Sequence, residues 1–385
     1  MSDRTDWKLY ARDAALSLQA QIDDYQFFDA VVRFNDVGTW VLDMDASVKG
    51  ASILQQDGAG IVLTRDDTTV LSGPVSLRER DFGGDPDRNR LKLKGFSDDV
   101  WLSRRLAHPQ PATSAPPYNS QAYDVRTGTC STILRQYVDV NLGPSALGVR
   151  QVPGLVLGTD PGIGSSVTGR ARWDPLLPFL QSLALVGGDI GFNVQQVGSG
   201  LQFNVFQPAT RAVAVTFSTD IGNLSAFDWS EEAPRANYVF CGGSGTDTAR
   251  VVQEGLDSGS IVRWGRIEEF RDRRDTSVSS ELAQTISQEL LNNQGAVTFA
   301  VSPIDLPQMT YLTHYGLGDV VTAIYDGVSV TNTIREVHIT LGQPGGTGGA
   351  ARIIPMIGTP ARNDLLKFFD QIRRVQSRLV TLERV

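Results

Sequence analysis

Histidine and cysteine are scarce: the chain of 385 residues holds three of the first and two of the second. A nucleophile-and-base site needs Ser or Cys within reach of His, so few such arrangements are open to it. His108 precedes Pro109 at the expected end of a helix, His314 precedes a turn in THYGLGD, and His338 alternates within the strand-like REVHITL. Each reads as structural. The cysteines, Cys130 and Cys241, lie 111 positions apart and neither belongs to a CxxC pair, which argues against a disulfide framework or a cysteine-rich metal site and fits reduced thiols in a cytoplasmic setting. Long apolar runs are missing too. None approaches the ~20 residues of a membrane span, so a soluble chain is expected. The opening MSDRTDWKLYARD interleaves acids and bases without the apolar core of a secretory signal. Nor is there a basic excess: 43 acids against 35 bases give a formal charge of −8, the wrong sign for gripping a phosphate backbone. That balance still allows nucleic acid to pass without being held.

Motifs for chemistry are incomplete. GIGSSVTGRA, from Gly162, has Gly169-Arg170-Ala171 where a phosphate loop needs Gly-Lys-Ser/Thr, and GGSGTDTAR lies between two strand-like segments rather than at a strand-to-helix elbow. The neighbouring carboxylates Asp43 with Asp45 and Glu231 with Glu232 could suit a glycosidase, but with 43 acids such pairs arise readily. Cys130 sits where a helix start could depress a thiol pKa. No histidine is near it in sequence, and burial is the commoner fate of cysteine. The reading is therefore no catalytic residue, no cofactor and no metal.

What is present is a chain of short strands. The 41% apolar and 20% charged content is that of a globular protein, and the length calls for two or three cores. DYQFFDAVVRFNDVGTWVLDMD predicts a hairpin around NDVG, and GIVLTRDDTTVLSGPV another around Asp66-Asp67, with RLKLKGF as a further strand. In SDDVWLSRRLAHP a short helix is expected, Ser97 capping it and Asp98 and Asp99 in its first turn. PQPATSAPPYNSQ reads as a linker. Beyond it, Thr129 or Thr127 caps a helix whose Ile133, Leu134, Tyr137 and Val138 form one apolar face, and Gly143-Pro144 stops it. WDPLLPFLQSLALVGG predicts a second helix beginning near Trp173, and GFNVQQVGSGLQFNVFQP a hairpin turning at Gly198-Ser199-Gly200. From about Leu224 strands return, with one helix in SSELAQTISQELLNN and a hairpin tip at Gly342 to Ala350.

The fold class is thus mainly β with an inserted α+β domain: a first small antiparallel β-barrel over 1–110, completed by part of 225–265; the insert at 118–224; and a second barrel with its helix in 225–358. The last segment, 362–385, carries Leu365, Phe368, Ile372, Val375, Leu379 and Leu382 at spacings of 3, 4, 3, 4 and 3, the seam of a coiled coil. That seam predicts oligomerisation.

Taken together, RFNDVGTW, SGPV, GFSDDVWLSRRLAHP, YDVRTG, YVDVNLG, DRRDT, SPID and YGLGDVV resemble the tail hub proteins of long-tailed phages, the hub family common in actinobacterial phages and prophages. The resemblance runs from about Trp7 to Pro360. It implies a virion structural protein, made in the host cytoplasm, in which three protomers contribute two tube-like barrels each to a ring at the tail tip. The implied partners are a distal tail or tail-tube protein above, a tip or central fibre protein below, and the tape measure protein and transiting DNA in the lumen. The alternatives are a tail-associated cell-wall-degrading enzyme and a host-receptor-binding tip protein. Aromatic residues on the loops of the insert would favour receptor contact. In the opening of the insert, Asp124 and Arg126 are expected to pair, and Tyr137 and Val138 to pack the helix on its sheet.

Overall fold

The computed structural model describes residues 7–81, 89–118, 120–303, 309–325, 327–342 and 351–358. Its N-terminal part comprises β1 (Trp7–Arg12), β2 (Leu18–Gln21), β3 (Phe27–Arg33), β4 (Thr39–Asp45), a short α1 (Ala51–Leu54), β5 (Gly60–Arg65), β6 (Thr68–Asp81), β7 (Arg90–Phe96), α2 (Val100–Ser103) and β8 (Leu106–Ala107). Alternation in β4 buries Trp40, Leu42 and Met44 and turns Val41 and Asp43 outward, as a half-buried strand requires. Between β5 and β6, Asp66 and Asp67 both take positive φ, 49° and 59°, the geometry of a two-residue hairpin turn that matches strand twist.

The insert contains β9 (Asp124–Thr129), α3 (Cys130–Leu142), β10 (Leu155–Leu157), β11 (Ser166–Ala171), β12 (Asp174–Pro175), α4 (Leu176–Val186), β13 (Gly191–Val197) and β14 (Gly200–Phe206). Its core gathers Ile133, Leu134, Tyr137 and Val138 of α3 with Leu180 and Leu183 of α4 and Phe192 and Phe203 of the hairpin. Trp173 begins no helix. It stands in a bend at φ 63°, 41% exposed, and α4 starts at Leu176.

The remainder runs through β15 (Thr216–Ser218), β16 (Leu224–Glu232), β17 (Tyr238–Gly242), β18 (Val252–Leu256), α5 (Ser258–Trp264), β19 (Glu268–Asp272), α6 (Ser279–Asn293), β20 (Ala296–Pro303), β21 (Val320–Tyr325), β22 (Val328–Leu341) and β23 (Arg352–Gly358). Among the described residues one sheet of 13 strands joins N-terminal and C-terminal strands in the order β16-β20-β23-β22-β3-β4-β7-β6-β5-β1-β2, with β21 and β15 branching from β22. Both halves cover one core, in which Trp40, Leu42 and Phe28 meet Ile334, Val337 and Ile339.

Here the structure corrects the expectation of two separate barrels: among the described residues no sheet closes on itself. The reason is the pairing of β3 with β22, from Arg33↔Glu336 through Phe28↔Leu341, which opens the N-terminal set and continues it into the C-terminal one. Two strands of 14 residues make the corners. The first half of β6 pairs with β5 and its second half with β7, and β22 divides likewise between β21 and the pair β23 and β3. At the corner in β6 lies Ser72-Gly73-Pro74, where a Cβ on Gly73 would sit 1.8 Å from the Phe96 carbonyl oxygen, so only glycine permits that approach. Three pairings are parallel, β10 with β14, β15 with β21 and β17 with β19, and each uses a short strand that the sequence did not announce. Segment 225–265 contributes β16 to the far edge of the large sheet and β17, β18 and α5 to a small separate module. The tip at 343–350 lies outside the described residues.

Candidate functional site

Among the described residues β13 is an edge strand of the insert's three-stranded sheet, paired on one side with β14. Its outward amides would be unpaired, and a bare edge is both unsatisfied and adhesive. Three side chains of the large sheet and its connections take them. Asn35 Oδ1 accepts from the Phe192 amide at 2.7 Å, Asp99 Oδ1 from Val194 at 2.7 Å, and Ser72 Oγ from Gln196 at 2.8 Å. Asn35 Nδ2 also donates to the Ile190 carbonyl at 2.8 Å. The row thus does the work of a neighbouring strand and locks the insert to the sheet.

Beneath the row lies a buried charge cluster. Arg12 grips Asp98 with both nitrogens, at 2.8 and 2.6 Å, and the two side chains are 2% and 0% exposed. Ser72 Oγ donates to the same carboxylate at 2.6 Å, and Gln196 Oε1 of β13 accepts from Arg12 at 2.8 Å. Asp99 receives Ser97 Oγ as well, while Ser97 Oγ accepts the Gly38 amide. Burial pushes the Asp99 carboxyl up to about 7; its hydrogen bonds from Val194 and Ser97 oppose the rise and the nearby Asp98 charge adds to it. Asp98 and Asp99 do not form the first turn of the helix as expected, because α2 begins only at Val100, and the turn before it is enclosed by β13.

Three motifs therefore converge: RFNDVGTW supplies Asn35 and Gly38, SGPV supplies Ser72 and Gly73, and GFSDD supplies Ser97, Asp98 and Asp99. A second contact reinforces the lock. Arg335 of β22 holds Asp189 at 2.9 and 2.6 Å, and Gln181 of α4 donates to the Asn35 carbonyl at 2.8 Å. YDVRTG acts within the insert, where Arg126 pairs with Asp124 at 2.9 Å and the Tyr137 hydroxyl donates to the Asp124 carbonyl at 2.9 Å. Sequence reasoning missed the cluster. Arg12, Asp98 and Asp99 are visible in the sequence as charges, but nothing near them names their partners.

The residues weighed for chemistry are engaged in packing. Cys130 is buried against the Leu183 carbonyl, and burial pushes its thiol up to about 12; Cys241 is raised by the same cause. Neither thiol should react with a thiol-exchange reagent at pH 8 in the folded chain, and both should react once denaturant is added. The assay is a simple absorbance count. His108 stacks edge-on against Trp173 and Tyr118, ring centroids 4.1 and 4.9 Å away, and burial lowers its pKa, with Arg150 adding to the effect. His314 Nδ1 accepts the Thr310 amide, and the His338 ring meets Asp29. Asp43 pairs with Arg90, Asp45 is lowered first by its Ser47 hydrogen bond, and Glu231 pairs with Arg263. No group of three or more His, Cys, Asp or Glu that could hold a metal occurs among the described residues, and no described helix is long and apolar enough to cross a membrane. The heptad positions Leu365, Phe368, Ile372, Val375, Leu379 and Leu382 lie outside the described residues.

A family model described as Siphovirus ReqiPepy6 Gp37-like protein matches residues 6–359. The fold is similar to a 43 kDa tail protein of prophage MuSo2 from Shewanella oneidensis, with a TM-score of 0.58 and 11% identity over 91% of this chain and 98% of that one. It is also similar to a tail protein from Neisseria meningitidis, TM-score 0.57 and 13% identity over 92% and 96% of the two chains. A third likeness is to prophage tail protein gp18 from Listeria monocytogenes, TM-score 0.55 and 10% identity over 96% and 99%. Among curated proteins no match is found.

Proposed function

We propose that this chain, which belongs to the Siphovirus ReqiPepy6 Gp37-like protein family, is a structural tail hub of the virion. The observation that carries the reading is the extent of the likeness to tail proteins: it takes in large sheet, insert and small module together, over 91% to 96% of the chain. Three copies form a ring. Each contributes two tube-like units, one on each long corner strand, β6 and β22, so that three protomers present six units to a sixfold tail tube. Two barrels in this sense are completed by ring formation rather than within the protomer. The terminal heptads lie on or near the threefold axis as a coiled coil. A distal tail or tail-tube protein binds above and a tip or central fibre protein below, and the tape measure protein and DNA pass through the lumen. The formal charge of −8 supports passage without adhesion, since like charges keep phosphates from binding. The interlock of β13 with Asn35, Asp99 and Ser72 sets the angle at which the insert leaves the ring.

The test is mass in solution by light scattering, on the full chain and on a variant ending at Pro360. The full chain is expected at three times its 41.8 kDa mass, and the truncated form at one. If truncation leaves the trimer intact, the sheets carry assembly and the heptads dock elsewhere. Monomers in both forms at micromolar concentration would sink the self-assembling ring.

A further inference from the structure

Residues 233–295 interrupt the β16–β20 ribbon, so the small module hangs from the end of one hairpin, beyond the pair Glu232↔Ala296. Both covalent links leave from that point, where the Arg235 amide also donates to the Asn293 carbonyl, and the Arg263–Glu231 ion pair ties α5 to the same ribbon. The module has its own core of Val239, Cys241, Leu282 and Ile286, with Leu290 packed against it. Among the described residues it shares no cluster with the large sheet or the insert.

Across from the hinge, α6 faces the insert through polar groups. Gln284 makes a reciprocal pair with the backbone of Thr168: Oε1 accepts the Thr168 amide at 2.9 Å and Nε2 donates to the Thr168 carbonyl at 2.9 Å. A side-chain amide thus stands in for the next strand along β11, whose ladder among the described residues is with β9 alone. Arg170 reaches Glu281 at 3.3 Å, the Asp275 carbonyl at 3.3 Å and the Asp275 carboxylate at 3.4 Å, all long for charged contacts. Arg170 Nε and Glu281 Oε2 are buried without a hydrogen-bond partner among the described residues. Beside this seam is a cleft of about 390 Å³ lined by Tyr123, Arg172, Phe179, Ser182 and Gln288 among others. Neutral hydrogen bonds and partly exposed ion pairs are the contacts that water replaces at least cost.

We propose that the small module is a flap, hinged on the β16–β20 ribbon and latched to the insert by Gln284 and Arg170, which swings open as a folded unit. Salt weakens the latch because its ion pairs border solvent. The device belongs to the single protomer and goes beyond the hub reading, so its test gives the same answer whether or not a ring forms.

The measurement is residue-resolved amide hydrogen exchange on the full chain. By strand alternation the Thr168 amide points to Gln284 while those of Val167 and Gly169 face β9, which makes them internal controls. Thr168 is expected to exchange about tenfold faster than both, and to accelerate several-fold between about 0.05 and 0.5 M NaCl, with Leu282 and Ile286 in α6 unchanged. Gln284→Ala should remove the remaining protection at Thr168 and leave Val167 as it was. Equal, salt-insensitive exchange at Thr168, Val167 and Gly169 would mean that the seam opens only on unfolding, and the flap is refuted. Acceleration of Leu282 and Ile286 together with Thr168 would refute it too, by showing that the module melts rather than swings. The wild-type salt series decides the matter even if the variant fails to fold.

Discussion

Replacing Asp98 by Asn is expected to lower the unfolding free energy by about 3 to 5 kcal/mol, the range for removing one partner of a buried ion pair. The carboxylate is fully enclosed and receives two bonds from Arg12 and one from Ser72. With the charge gone, the Arg12 guanidinium stays buried with a neutral amide opposite it and only Gln196 as a further acceptor. Its desolvation is then uncompensated. The shift would be read from denaturant midpoints with the slope checked for constancy. A paired Arg12→Met, Asp98→Leu variant, which removes both charges, should recover at least half of the loss. A single variant that unfolds at the wild-type midpoint would show that the cluster is hydrated and that the lock rests on the backbone row alone.

Asp99→Asn should do the opposite at neutral pH. The folded-state pKa, about 7, lies above the 3.8 of a free carboxyl, so the folded chain binds this proton more tightly than the unfolded one. Stability from this group is therefore full below about pH 4, declines as pH rises toward 7, and is flat above. Each unit of that window is worth at most ~1.4 kcal/mol. Asparagine cannot ionise, its oxygen can still accept the Val194 amide, and its NH₂ can turn to Ser97 Oγ, so the variant should be the more stable by a few kcal/mol at pH 8. Near pH 4 the two should converge. Because Asp45, Asp160 and Asp275 are lowered and act in the other direction, the quantity to plot is the difference between variant and wild type. A difference that does not change with pH would place the Asp99 proton elsewhere.

Adjacent acids thus have different roles, and no feature of the string SDD announces it. Asp98 meets a cation 86 positions away and Asp99 a backbone amide 95 positions away. Trp173 carries a related lesson. Asp174-Pro175 reads as a helix opening, yet the Trp173 amide bonds the Ala107 carbonyl and the residue is drawn into a bend stacked on His108. A partner outside the segment overrode the local signal.

Elsewhere local signals held. The α3 helix runs from Cys130 to Leu142 with Thr129 before it and Gly143 after it, and the hairpins turn at Asp66-Asp67 and after Val197. The Asp124–Arg126 pair forms between residues two apart. Such features depend on side chains within a few positions, and their chemistry is written in the order of residues. Alternation along β4 likewise states which face is buried.

What alternation does not state is against which strand, and there the tertiary structure alone decided. The pairing of β3 with β22 turned two expected barrels into one open sheet, and the buried row of Asn35, Ser72 and Asp99 supplied the missing neighbour of β13. Local pattern was enough for the β3–β4, β5–β6 and β13–β14 hairpins, for helices α3 and α6 and for the family to which the chain belongs, whereas β10, β15, α5 and β19 left no such signal. Which distant edges meet follows from the competition among all unpaired amides and buried charges for the few partners that the whole fold brings within reach.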